Sequence, residues 1–328
     1  MYRVGIIGCG GIVTGKHVRE LAQEPRAEVT AICDASPEAL ELAVAALDER
    51  DMGKPHSYSD YLTMLESEEL DVVLVATPHA MHFANCRAAI ESGAHVLLEK
   101  PAAATISEAR ALRKASRERG VLCGIAYQRH VGRPYRWLYK AVREGRIGQL
   151  QFLELVIAQN WKVVATGWRK DPALSVGGYL FDTGSHIIAL LLWLTGWSPA
   201  AVSAFVDYEK PGIDTNAAVS VSFKEGCLAN ITFCGAAAEG WYDRATIWGR
   251  TATVALGPEG LSISDGSGPS RQPEDLADVT ESTTIGNLLD AIEKRDNLGA
   301  DLFLAEKVLR LTRAIYKSAR TGEVVKLS

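Results

Sequence analysis

Five short apolar runs without polar interruption divide the first part of the chain, at residues 4–7, 29–33, 72–76, 96–98 and 121–125. A strand with one wet face alternates apolar and polar residues, so an uninterrupted apolar strand is covered on both faces. Helix-like segments separate most of these runs. Strands of this kind alternating with helices predict an α/β fold with a parallel sheet.

After about residue 126 the pattern changes. In "TNAAVSVSF" the residues Ala217, Val219, Val221 and Phe223 alternate with Ala218, Ser220 and Ser222. "KEG" then turns the chain into "CLANITF", where Leu228, Asn230 and Thr232 alternate with Ala229, Ile231 and Phe233. That is a hairpin in an antiparallel sheet with one open face. Further strands are expected near 149–158, 200–207, 243–248 and 251–256, with a turn-rich surface loop at 264–275. Leu304, Val308, Leu311 and Ile315 form one stripe on a final helix, which therefore docks, with the domain junction as its expected place. Two domains are expected, 1–125 and 126–328.

A chain of 328 residues can bury a sizeable core, and its 47% hydrophobic and 23% charged residues are ordinary globular values. The formal net charge of -5 gives no basic footprint, so no nucleic-acid partner is expected. Six scattered cysteines with no C-x-x-C pair read as free, mostly buried thiols in a reducing compartment. "MYRVGIIG" starts an apolar strand at once, leaving no room for a secretion signal, and the apolar run 187–194 is far shorter than the roughly 20 residues that span a bilayer. A cytoplasmic protein with no membrane partner is expected.

"VGIIGCGGIVTGKH" sets Gly8, Gly10, Gly11 and Ile12 between the first strand and a helix. In a dinucleotide-binding turn the first glycine allows the bend, and the second lets a pyrophosphate approach backbone N–H groups at the helix start. The third glycine of that pattern is replaced by Val13. Asp34 closes the second strand, where a carboxylate takes the adenosine ribose hydroxyls and repels a 2'-phosphate, favouring NAD over NADP. An N-cap or turn role before Ser36 and Pro37 is its plainer alternative. Thr77 and Pro78 end the third run at the carboxyl edge of the sheet, the edge where such sheets bind ligands. His79 and His82 have no third and fourth partner at metal-ligand spacing, so no metal is expected. His82 is expected at a helix start near the cofactor ribose, and His79 in solvent.

Asp182 and His186 lie four residues apart in "GGYLFDTGSHIIALLLWLTG", a spacing that puts both on one face of a helix. Alone, such a pair is more often a local hydrogen bond than a catalytic couple. Taken in order, the glycine turn, Asp34, Thr77-Pro78 with His82, Glu99-Lys100-Pro101, Gly145 with Gly148, Trp168-Arg169, Gly177-Gly178, Asp182-x-Gly184-x-His186 and the ending "IYKSARTGEVVKL" resemble the glucose-fructose oxidoreductase, inositol dehydrogenase and rhizopine catabolism (Gfo/Idh/MocA) family. The resemblance spans essentially the whole chain. It implies an N-terminal Rossmann domain and a C-terminal α/β domain whose open sheet pairs with another subunit, as a homodimer or homotetramer. It also implies NAD(P)-dependent oxidation or reduction of a hydroxyl or carbonyl carbon on a sugar, cyclitol or small diol.

Carried over by position, Lys100, Asp182 and His186 match the residues that line the reacting carbon, and Glu99 and Lys100 lie on a loop over the nicotinamide. A free histidine titrates near neutral pH while a free lysine does not, so His186 is the expected acid/base and Lys100 the cation that orients the oxygen. Asp182 then positions His186 or binds a second hydroxyl, and the opposite assignment of His186 and Lys100 stays open. Ala189 stands where the family often has an aspartate, and Tyr179 where a third glycine is common. Tyr127, Gln128, Arg129 and His130 are expected to face the substrate cleft. Trp161 and Trp168 either cover it or pack against their own domain. Arg169 either holds a carboxylate, pairs with Asp171 or touches the cofactor. Two other functions fit the same motifs: glycoside cleavage through transient oxidation by bound NAD, and non-catalytic dinucleotide sensing.

Overall fold

The computed structural model of the chain describes residues 1–238 and 240–327. Its contacts divide it into two units, Met1–Gln128 with Ser282–Glu306, and Arg129–Glu281 with the residues from Lys307 onward.

The first unit is built on six parallel strands: β1 (Tyr2–Ile7), β2 (Ala27–Cys33), β3 (His56–Tyr58), β4 (Val72–Val75), β5 (His95–Leu98) and β6 (Cys123–Ile125). Their order across the sheet is β3-β2-β1-β4-β5-β6. The chain thus starts in the middle, winds out to one edge and returns beside β1, creating a switch point between β1 and β4. All four residues of β4 are buried, as its uninterrupted apolar sequence requires. β3 is the strand that hydrophobic patterning misses, because it is three mostly exposed residues on the sheet edge. Helix starts are written in the local sequence: Thr105 and Glu108 form a reciprocal capping box at helix Ile106–Arg119. Gly120 ends that helix in the left-handed region at φ 70°.

The segment Ser282–Glu306 packs on this first unit. A single boundary at residue 125 assigns it to the second domain instead. The physical reason is its apolar face: Ile285, Leu288 and Leu289 of helix Thr284–Ile292 bury in the same cluster as Val4, Val18, Leu21 and Leu97. Arg26 then pairs with Asp290 at 2.7 Å and Glu293 at 2.9 Å, and Ile125 donates its N–H to the Ala300 carbonyl at 2.9 Å.

The second unit holds β7 (Leu150–Ala158), β8 (Pro199–Lys210), β9 (Ile213–Phe223), β10 (Leu228–Cys234), β11 (Tyr242–Gly249), β12 (Thr253–Gly257), β13 (Gly260–Ser264) and β14 (Val325–Lys326). They lie in the order β13-β12-β11-β7-β10-β9-β8-β14, with β7 and β10 parallel and the other neighbours antiparallel. β9 and β10 pair in register, Val219 opposite Ile231 and Ala217 opposite Phe233, all four buried. The hairpin expected from alternation is therefore present. Helix Ser185–Thr195 has all but Trp193 of its residues buried, whereas on the sheet's outer face Phe205 is 80% exposed and Leu228 51%. The stripe Leu304, Val308, Leu311 and Ile315 of helix Leu302–Thr321 is buried as patterned. All six cysteines are free, five of them buried. Among the described residues no helix is long and apolar enough to cross a membrane.

Candidate functional site

The candidate nucleotide residues gather along the carboxyl edge of the parallel sheet, on the adjacent strands β2, β1, β4 and β5. Gly8 follows β1 at φ 91°, and a Cβ there would lie 2.7 Å from the Ala76 carbonyl carbon and oxygen. Only glycine allows β1 to end so close to the end of β4. Around Gly10 and Gly11 an added Cβ would meet nothing within 4 Å, and Gly10, Gly11 and Ile12 are exposed. This open turn leads directly into the helical segment that starts at Val13, and it leaves room for a pyrophosphate at a helix start. Val13 is fully buried in the core cluster, so its side chain points away from that turn. Asp34 accepts the Cys9 N–H at 2.8 Å and the Ser36 N–H at 2.9 Å, which anchors its carboxylate between the glycine turn and the end of β2. Open turn plus acidic anchor fit a dinucleotide.

Thr77 follows β4 and donates its hydroxyl to Asn85 Oδ1 at 2.8 Å. His82, buried at the first position of helix His82–Glu91, lies 2.7 Å from the Pro101 carbonyl through Nδ1 and 2.8 Å from the Thr77 carbonyl through Nε2. Each ring nitrogen thus lies against a protein carbonyl, which places the ring between the ends of β4 and β5. Burial lowers the His82 pKa, with the two carbonyls and the Glu99 charge pulling the other way. His79 is buried too, its ring 5.7 Å from that of His82, contrary to the solvated position expected. Glu99, at the end of β5, takes His17 Nε2 at 2.8 Å on one oxygen and the Lys100 N–H at 3.1 Å on the other. Burial raises the Glu99 carboxyl, but the His17 hydrogen bond with the charges of His17, Lys100 and Lys16 outweighs it, holding the carboxyl well below the usual range. The Lys100–Pro101 peptide is cis.

The second unit carries the other candidate residues. Asp182 is not on a helix: it lies in the turn before helix Ser185–Thr195, with Gly184 at the N-cap. The four-residue spacing therefore does not place Asp182 and His186 on one helical face. Both are nonetheless buried, at 3% and 6% exposure. Arg169 donates to Asp182 at 2.9 Å, so its carboxylate partner is Asp182 and not Asp171, and the guanidinium stacks over Trp168. Trp161 is buried in its own unit against Tyr179. Arg129 is buried and pairs with Asp243, which also accepts from Tyr135 at 3.3 Å. The His130 ring lies tilted against Trp193, their centroids 4.5 Å apart, and Tyr127, assigned to the first unit, is buried.

Two partners escaped sequence reasoning. Asp214 is buried and receives the Gly178 N–H at 2.8 Å, the Leu180 N–H at 2.6 Å and the Tyr316 hydroxyl at 2.6 Å, organising the turn that ends in Asp182. His17 is the other. A short polar residue at the start of an alternating strand and a histidine in the helical segment after the glycine turn are the only signals. Among the described residues no three His, Cys, Asp or Glu side chains cluster as a metal site.

Fold and site together define a dinucleotide-dependent oxidoreductase of two units. Residues 2–127 match the family model described as oxidoreductase family, NAD-binding Rossmann fold, and residues 135–255 match the GFO/IDH/MocA C-terminal domain. The chain belongs to the Gfo/Idh/MocA oxidoreductase family. It is similar to scyllo-inositol 2-dehydrogenase (NADP(+)) IolW of Bacillus subtilis, 30% identical over 65% of this chain and 59% of that protein, so the match spans less than two thirds of that relative. It is also similar to 1,5-anhydro-D-fructose reductase of Ensifer adhaerens, 26% identical over 100% of this chain and 99% of that one. Among solved structures, levoglucosan dehydrogenase in complex with NADH and L-sorbose superimposes with a TM-score of 0.87 at 21% identity, covering 100% and 99% of the two chains. The WlbA dehydrogenase from Bordetella pertussis, in complex with NADH and UDP-GlcNAcA, gives 0.86 at 24% identity, covering 100% and 98%. At these identities the structures establish the fold alone.

Proposed function

We propose that this chain transfers a hydride between NAD and a secondary alcohol or ketone of a sugar, inositol or related polyol. The observation that carries this reading is the alignment of the open glycine turn, Asp34, Thr77 and Glu99-Lys100 along one sheet edge. The Asp34 carboxylate, anchored by two N–H groups beside the turn, supports NAD over NADP because it repels a 2'-phosphate. When bound, the nicotinamide supplies the hydride acceptor or donor.

The remaining steps fall to side chains. His186 takes the hydroxyl proton, since imidazole exchanges protons near neutral pH. Lys100 contributes a positive charge that stabilises alkoxide character on the oxygen. Asp182, paired with the Arg169 guanidinium, serves as an acceptor for a substrate hydroxyl. Arg129 and Trp168 of the second unit, and Tyr127 of the first, are proposed as substrate-binding residues. Self-association as a homodimer or homotetramer is supported by the exposed Phe205 and Leu228 on the outer sheet face. The testing experiment follows reduction of NAD and of NADP across sugars, cyclitols and diols. NADH formation with one of them is the expected outcome. Sugar release without net NADH would mark glycoside cleavage instead, and tight NAD binding without any turnover would mark a sensor.

A further inference from the structure

We infer that His17 and Glu99 form a positioning pair that fixes the backbone of Lys100 and sets a negative charge beside it, a role that rests on reading Lys100 as the active-site cation. The sequence supplies the first hint. The residues before Glu99 are Val96, Leu97 and Leu98, all buried, and an apolar residue would close β5 at no electrostatic cost. Instead the strand ends in a carboxylate of which only 7% is exposed. A buried carboxylate persists only when its oxygens are satisfied. Here both are: Oε1 lies 2.8 Å from His17 Nε2, and Oε2 accepts the Lys100 N–H at 3.1 Å.

The pair also links two parts of the candidate nucleotide edge. His17, itself 1% exposed, closes the helical segment Val13–His17, which begins just after the Gly10–Gly11 turn. Glu99 opens the lysine loop. The far end of that loop is held by the second buried histidine, His82, through the Pro101 carbonyl at 2.7 Å. Residues 99 to 101 are thus pinned from two helices at once. The charged and titratable groups acting on the Glu99 carboxylate are His17, Lys16, Lys100 and His82. Glu99 supplies the negative charge among them. A pair needed only to fill space would show no such convergence of charge on the loop that carries Lys100.

The test uses the full chain, reductively methylated with carbon-13 formaldehyde so that each lysine gives an NMR signal, with Lys100 assigned through Lys100→Arg. Glu99→Gln keeps the shape and removes the charge. The Lys100 methyl signal is expected to move in chemical shift, because the carboxylate charge that accepts the Lys100 N–H is gone. Lysine signals other than those of Lys100 and Lys16 stay in place, and the rate with any substrate found falls at least about tenfold. His17→Leu, which deletes the donor, is expected to lower the rate similarly, and His17→Gln, which retains one, to restore part of it. If Glu99→Gln does not fold, Glu99→Asp serves: its shorter side chain withdraws the carboxylate from the Lys100 N–H, so the Lys100 chemical shift again moves. A Lys100 signal unchanged in chemical shift across these variants would overturn the pairing. Absence of NADH formation by the unsubstituted protein would overturn the dehydrogenase reading and leave the lysine chemical shift to be judged separately.

Discussion

At Gly178 an added Cβ would lie 2.0 Å from the Asp214 carbonyl oxygen and 2.3 Å from its nitrogen. Backbone cannot yield that much, so Gly178→Ala is expected to lower unfolding free energy by at least about 3 kcal/mol in urea titration. A variant as stable as the parent would contradict the close approach of this turn to Asp214. Glu99 makes a second residue-level prediction, with its sign fixed by the depressed carboxyl. Such a group stabilises the fold fully above the ordinary glutamate value of about 4.3 and loses that contribution as pH falls through its folded value. The stability difference between the parent and Glu99→Gln should narrow below about pH 4, and parallel unfolding curves across that range would refute it. Residues of this kind were only half legible. Gly8, Asp34 and Lys100 announce themselves through motif order, whereas His17 and Asp214 act through partners 82 and 36 residues away, contacts that local pattern does not encode.

Elements were read best where burial writes a period. The apolar runs of β1, β2, β4, β5 and β6 and the alternation of β9 and β10 all correspond to strands. Edge pieces of few residues, β3, β13 and β14, lack enough periods to be seen. The Asp182–His186 spacing misled for a related reason: it presumes helix, but the glycine-rich turn runs on to Gly184 before the helix starts. Helix Thr284–Ile292 gives the element-scale prediction. Leu288 is fully buried among the first unit's core residues, so Leu288→Ala should cost about 2–5 kcal/mol and weaken NADH binding along with stability. Destabilisation with NADH affinity intact at a temperature where the variant is partly unfolded would argue against that membership.

For the molecule as a whole, the motif order pointed to the Gfo/Idh/MocA family, while the grouping of Ser282–Glu306 with the first unit needed coordinates. A linear boundary cannot express a segment that leaves and comes back. The open face of the second sheet belongs to this scale as well. Phe205→Glu, at a site 80% exposed, should shift sedimentation toward the monomer while leaving far-ultraviolet circular dichroism unchanged. A parent that sediments as a monomer, or an assembly unaltered by the substitution, would contradict the proposed self-association through this face. The central proposal is that His186 moves the proton while the parallel sheet holds the nicotinamide cofactor. It is tested most directly by comparing the parent with His186→Ala in two assays, NADH formation with the best polyol of the panel and NADH binding by fluorescence. The account predicts a rate loss of at least about a hundredfold with binding unchanged. A His186→Ala protein that turns over at the parental rate would contradict it.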